Sequence, residues 1–252
     1  MLRALLIIWA ISCSSQAFSK DCVILLHGLA RTESSFLIMK RSLKVQSYHV
    51  VNSSYPSRFK SIEELARDTI PQAINSCGDR RVHFVTHSLG GIMVRAYLAS
   101  NKLKNLGHVV MLGPPNKGSE IVDATREFLG FNWINGPAGR ELSTDRVGMP
   151  NQLPPVSFSV GVVAGSLSFN PIYSNVINGP DDGKVSVFST RVEGMRDHLT
   201  LPVTHTFMMN NPLVIAQVKN YLELGRFDHS LTFANASWLA LSKVLGRYER
   251  RR

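Results

Sequence analysis

Val82-His83-Phe84-Val85-Thr86-His87-Ser88-Leu89-Gly90-Gly91-Ile92-Met93-Val94 changes its hydrophobic period at the serine. Before it, Val82 to Val85 is a short apolar run, the pattern of a strand buried on both faces. After it, Ile92, Val94, Tyr97 and Leu98 fall at helical spacing. A strand that turns straight into a helix needs small residues around the turn. Gly90, two places after the serine, meets that need, while the methyl group of Thr86, two places before, crowds it. The bland alternative for Ser88 is an ordinary helix N-cap.

Working outward, the same kind of run recurs at Val23 to Leu26, Tyr48 to Asn52, Val109 to Leu112 and Phe158 to Val163, with Val185 to Phe188 as a short sixth. Helical segments lie between them. Ser34 to Leu43 is one, and Ser61-Ile62-Glu63-Glu64 has capping-box spacing and opens another, which Pro71 is expected to kink. Asn211-Pro212 starts a last helix over Leu213 to Leu224, and Gly225 stops it. Strands alternating with helices imply an α/β class with a mostly parallel sheet and helices on both faces. Chemistry in such sheets sits at the strands' carboxyl ends, where His27, Ser88, Gly113 and Gly165 fall.

The chain has 252 residues, 44% hydrophobic and 18% charged, a balance that excludes a disordered chain and suits one globular domain over 18–228. Met1-Leu2-Arg3, the apolar run Ala4 to Ile11 and the small-x-small end Ser15-Gln16-Ala17 read as a signal peptide over 1–17. The run is short of the roughly 18 apolar residues a membrane span needs. Export to a periplasm or out of the cell is therefore expected, with a lipoprotein anchored at Cys13 as the weaker alternative. Cys22 and Cys77 remain, each just ahead of an apolar run. If those runs are neighbouring parallel strands, a disulfide is within reach; two inert buried thiols are the other reading. Lys and Arg exceed Asp and Glu by 28 to 18, a net charge of +10, with Arg247, Arg250, Arg251 and Arg252 ending a basic tail over 229–252. No nucleic-acid-binding motif accompanies them, so no nucleic-acid partner is expected. Contact with an anionic membrane surface stays open, as does the oligomeric state.

His27-Gly28, Val85-Thr86-His87-Ser88-Leu89-Gly90-Gly91 and Leu112-Gly113-Pro114-Pro115-Asn116-Lys117-Gly118-Ser119 together resemble the lipase-type α/β-hydrolases, bacterial esterase or lipase-like members related to deacylases of lipid anchors. The resemblance covers residues 22 to 224 and departs at Thr86, where Gly or Ala is more usual. It implies an α/β-hydrolase fold with Ser88 as nucleophile and the backbone N–H groups of Leu89 and Leu29 as the oxyanion hole, Ala30 being the alternative register for the second. It further implies an acid after the fifth strand and a histidine after the sixth. Asp182, in Gly179-Pro180-Asp181-Asp182-Gly183-Lys184-Val185, fills the first role with Asp181 in reserve. His205 fills the second, Leu199 to Val203 being the lead into its loop, with His198 beside Asp197 as competitor. His27 orders its loop, and His87 lines the pocket or points away from it. Residues 114–157, with Phe128, Leu129, Phe131, Trp133 and Ile134, form a small cap or lid, or a cap helix packed on the core. The implied activity is hydrolysis of small-molecule or lipid carboxylic esters through an acyl-enzyme on a Ser-His-Asp triad, without cofactor. Amide, thioester or acyl-transfer chemistry on the same triad, or a binding protein on a hydrolase fold, are the alternatives. No H-x-x-x-H or C-x-x-C pattern calls for a metal.

Overall fold

The computed structural model describes residues 21–238. Six parallel strands, β1 (Cys22–Leu26), β2 (His49–Ser53), β3 (Val82–His87), β4 (Leu106–Leu112), β5 (Val160–Gly165) and β6 (Asp197–Leu201), lie in the order β2-β1-β3-β4-β5-β6. Every residue of β1, β3 and β5 is buried, which is why these strands read as unbroken apolar runs.

Alternate residues of each strand face opposite helical layers. Ile24, Leu26 and Phe84 pack with Ile62, Leu65 and Ile70 of α2 (Ile62–Asn75) and Ile92 and Met93 of α3 (Leu89–Ser100). Val23, Leu25, Val85, Val110 and Val163 pack on the other face, with Met39 and Leu43 of α1 (Leu37–Val45) and Val214, Val218 and Tyr221 of α8 (Pro212–Leu224). The capping box at Ser61 and Glu64 forms as expected, and α2 continues through Pro71 to Asn75. Asn211 caps α8 at Leu213 and Val214, and Gly225 ends it in a left-handed conformation.

The described residues also include the short or kinked helices α4 (Glu120–Thr125), α5 (Phe131–Arg140), α6 (Met149–Gln152) and α7 (Pro171–Val176). The first three carry the 114–157 segment. Within it Phe131 is buried, whereas Phe128, Leu129 and Trp133 face solvent. Past residue 228, Leu231 and Ala236 still pack on the core beside α8. Residues 1–17, expected to be a signal peptide, and the arginines of the basic tail lie outside the described residues.

One expected strand is corrected. Val185 to Phe188 is a tight loop, because its backbone finds partners at short range: the N–H of Val185 donates to Asp182 Oδ1, that of Val187 to the carbonyl of Pro180, and that of Thr190 to the carbonyl of Ser186. The sixth strand is instead Asp197–Leu201, which takes up most of the stretch expected only to lead into the His205 loop. It is an edge strand, with Leu199 and Leu201 buried and Thr200 exposed between them.

Cys22 and Cys77 form a disulfide, their Cα atoms 5.6 Å apart, inside the usual range. It ties the start of β1 to the turn after α2 and closes a loop of 55 residues. Cross-linking a loop of that size stabilises a fold by about 2–4 kcal/mol. Replacing both cysteines with alanine is therefore expected to lower the unfolding free energy in urea by about that amount. Unchanged stability, or two thiols that label in the native protein lacking residues 1–17, would show that the bridge is not structural.

Candidate active site

Ser88 joins β3 to α3 with φ 52° and ψ −121°, a conformation that L-residues rarely adopt. Its N–H is held by the carbonyl of Leu112 at the end of β4, and its own carbonyl by the N–H of Gly91. The turn closes because Gly90 lies against β1: a Cβ there would sit 2.5 Å from the carbonyl oxygen of Leu26. Thr86 is fully buried beneath the turn, and its bulk is accommodated because the facing residue is Gly91.

Ser88 occupies the N-cap position of α3, but its side chain caps no helix N–H. A strained backbone costs about 1–3 kcal/mol, and a forgone cap about 1 kcal/mol more. A serine kept only for structure would not bear both. Its hydroxyl instead faces a cavity of about 210 Å3 that opens at the carboxyl edge of the sheet. Ala30, at φ 53°, lines the same cavity, so two of the three non-glycine residues with positive φ among the described residues meet here.

His205 lies in the loop after β6 and lines that cavity while remaining 5% exposed. Its Nδ1 donates to Asp182 Oδ2 at 2.8 Å. With Nδ1 protonated, Nε2 is the free, basic nitrogen of the neutral ring. Asp182 sits in the loop after β5, its side chain wholly buried. Burial of a carboxylate is tolerable only with its oxygens satisfied, and Oδ1 accepts the N–H groups of Lys184 and Val185 at 3.0 and 2.9 Å. A backbone bond from the N–H of His205 to the carbonyl of Asp182 joins the two loops again. Gly113, at the end of β4 with φ 55°, leaves room for the pair: a Cβ there would lie 3.1 Å from both Asp182 Oδ2 and His205 Nδ1.

The competitors are engaged elsewhere. Asp181 Oδ1 accepts the N–H of Gly183 and the hydroxyl of Ser174, with no bond to His205. His198, near the amino end of β6, bonds Thr190 Oγ1 through Nε2, and burial lowers its pKa to about 4. Asp197 binds His229 and the N–H of Phe227. His27 stacks on Tyr55, gives its Nδ1–H to the carbonyl of Gly28 and has its pKa lowered by burial, the behaviour of a neutral ring ordering its loop.

Of the two backbone donors expected to hold an oxyanion, Leu89 is the first residue of α3, so its N–H is one of those a helix leaves free. Leu29 lines the cavity directly. The alternative at Ala30 is occupied, since that N–H donates to Ser57 Oγ. His87 also lines the cavity; its Nε2–H donates to the carbonyl of His205 at 2.9 Å, bracing the histidine loop, and desolvation followed by the neighbouring His205 drives its pKa well below the ordinary value. The far wall comes from the 114–157 segment, through Ile121, Val122, Phe131, Ile134 and Leu142. Arg31, Tyr173 and Lys184, which the sequence motifs did not single out, also line the cavity. Lys184 lies within the acid loop and Arg31 just past the His-Gly loop, so adjacency to those motifs was the available signal. Among the described residues no group of three or more His, Cys, Asp or Glu is placed to hold a metal ion.

No family model matches the chain, and no curated protein matches it by sequence. Solved structures do match in shape. The propeptide form of Bacillus licheniformis lipase BlEst2 aligns with a TM-score of 0.66 at 19% identity, over 85% of this chain and 52% of that one. The mature form of that lipase aligns at 0.63 and 19%, over 82% of this chain and 92% of that one. Phospholipase PlaB from Legionella pneumophila aligns at 0.65 and 18%, over 82% and 60%. The chain thus spans about half the length of the propeptide lipase. Its six-stranded parallel sheet with helices on both faces is an α/β-hydrolase fold, similar to that of these lipases and phospholipases.

Proposed function

We propose that the protein is a serine hydrolase that cleaves carboxylic esters through an acyl-enzyme on Ser88, with His205 as base and Asp182 as its partner. The observation that carries this reading is the strained, uncapped Ser88 sharing one cavity with His205, whose ring is held from behind by the buried Asp182. Ser88 Oγ attacks the acyl carbonyl carbon while His205 Nε2 takes its proton. The developing oxyanion is met by the N–H groups of Leu89 and Leu29. Collapse breaks the bond to the alcohol oxygen, which leaves with the proton from His205; water then attacks the acyl-enzyme with the same base. Asp182 keeps the imidazole in the productive tautomer and stabilises its charged form.

The cavity holds a volume of about 210 Å3. That is below the roughly 300–1,000 Å3 of ordinary ligand pockets. Its apolar wall from α4 and α5 suits a short or medium acyl chain, whether on a soluble ester or on a lipid. Amide, thioester and acyl-transfer chemistry would use the same acyl-enzyme and differ in leaving group or acceptor. The Cys22 and Cys77 bridge supports an exported protein, periplasmic or secreted.

Two measurements test this. In a chromogenic ester series from acetyl to palmitoyl, turnover is expected to peak between butanoyl and octanoyl; a maximum at palmitoyl would contradict the cavity assignment. Ser88→Ala is expected to lower turnover by at least about a thousandfold, and Asp182→Asn by about ten-thousandfold. Asp181→Asn should leave it within severalfold. Ser88-independent hydrolysis would overturn the nucleophile, and a harmless Asp182→Asn beside a crippling Asp181→Asn would move the acid.

A further inference from the structure

The cavity is chemically two-sided. Its lining residues include two cations, Arg31 and Lys184, and no acid. These stand with Ser88 and His205, while Ile121, Phe131 and Ile134 bring apolar side chains to the same space. Arg31 spends one guanidinium nitrogen on Thr206 Oγ1, the residue next to His205, at 3.2 Å. Among the described residues neither Arg31 nor Lys184 has an ion-pair partner. The carboxylate that Lys184 feels, Asp182, is fully buried and has both oxygens committed to the backbone and to His205.

Two positive side chains that share a cavity without an acid repel each other. Lys184 is an exposed residue, yet desolvation of its ammonium lowers its pKa first, and the charge of Arg31 adds to that in the same direction. His87, deeper in the cavity, also feels both cations. Such an arrangement is relieved by an anion seated between the two groups, with the guanidinium offering a fork of N–H donors and the ammonium a point charge.

We propose that Arg31 and Lys184 form a subsite for a small anionic group, phosphate or carboxylate, carried by the alcohol half of the ester. This rests on the serine-hydrolase reading of the same cavity. The acyl chain then lies against the wall from α4 and α5, and the charged alcohol faces Arg31 and Lys184. Attraction away from the scissile bond orients the ester at Ser88, so the substrate class is acyl esters of anionic alcohols. Their source is either the headgroup region of a lipid or a soluble anionic ester, and both present the same chemistry to the two cations.

Binding tests the subsite without relying on turnover. Octyl phosphate and octyl glucoside, each below its micelle concentration, are titrated calorimetrically into Ser88→Ala protein. The phosphate amphiphile is expected to bind about tenfold more tightly or better, the scale of one charge-assisted hydrogen bond. That ratio should collapse to within about twofold when Arg31→Gln and Lys184→Gln are added, and survive Lys102→Gln, an exposed lysine at the opposite edge of the sheet. Equal binding of the two amphiphiles, or an equal loss in Lys102→Gln, would overturn the subsite in favour of a general effect of the basic surface.

Hydrolysis names the source. The kcat/KM ratio of 4-(butanoyloxy)benzoate to 4-(butanoyloxy)benzamide, and that of phosphatidylglycerol to diacylglycerol in mixed micelles, are compared between the protein and its Arg31→Gln/Lys184→Gln variant. A preference for the anion in the first pair marks a soluble ester, and in the second a lipid, provided the variant loses it. No preference in either pair overturns the proposal. Selective octyl phosphate binding with no ester cleaved would overturn the esterase reading and leave the anion subsite standing.

Discussion

The turn at Ser88 rests on close backbone contact among three neighbouring parallel strands. The carbonyl of Leu112 in β4 holds its N–H, and the carbonyl of Leu26 in β1 lies where any side chain at residue 90 would have to go. A positive φ at serine persists only when its surroundings over-determine it, and here the sheet does so. The parallel register also brings the loops after β5 and β6 to the same edge, one carrying Asp182 and the other His205. Site and sheet are thus consequences of one packing arrangement, and loosening β3 against β1 or β4 would lose both.

The loops are in turn bound to each other. Asp182 gives one oxygen to backbone N–H groups of its own loop and the other to His205 Nδ1, while its carbonyl takes the N–H of His205. His87, next to Ser88, reaches across to the carbonyl of His205. These bonds hold the imidazole at Nδ1 and its backbone at both the N–H and the carbonyl, so the loop that carries it is anchored without a bound ligand. Preorganisation of this kind keeps the reorganisation cost low when charge develops at a reacting centre.

Much of the architecture was legible because strands buried on both faces have little choice but to be apolar throughout. The strands at Val23, Val82, Val109 and Val160 declared themselves that way. The sixth did not: an edge strand that reads Asp197-His198-Leu199-Thr200-Leu201 buries only one face and carries its signal in alternation. Val185 to Phe188 misled for the opposite reason, its β-branched residues suggesting extension while Asp182 and Ser186 captured the nearby N–H groups. Ser88, Asp182 and His205 were singled out as candidates through the motifs around them. Arg31 and Lys184 were not, because whether a surface cation turns into a cavity depends on contacts between loops distant in sequence.

The central claim is that Ser88 is a nucleophile activated by His205. Treating the protein with a fluorophosphonate ester, which reacts with activated serines, and mapping the adduct by peptide mass spectrometry tests that chemistry without knowledge of the substrate. The account predicts one adduct per chain, on Ser88, formed far more slowly in His205→Ala and in Asp182→Asn. An unlabelled Ser88 in folded protein, or labelling that proceeds unchanged without His205, would contradict it.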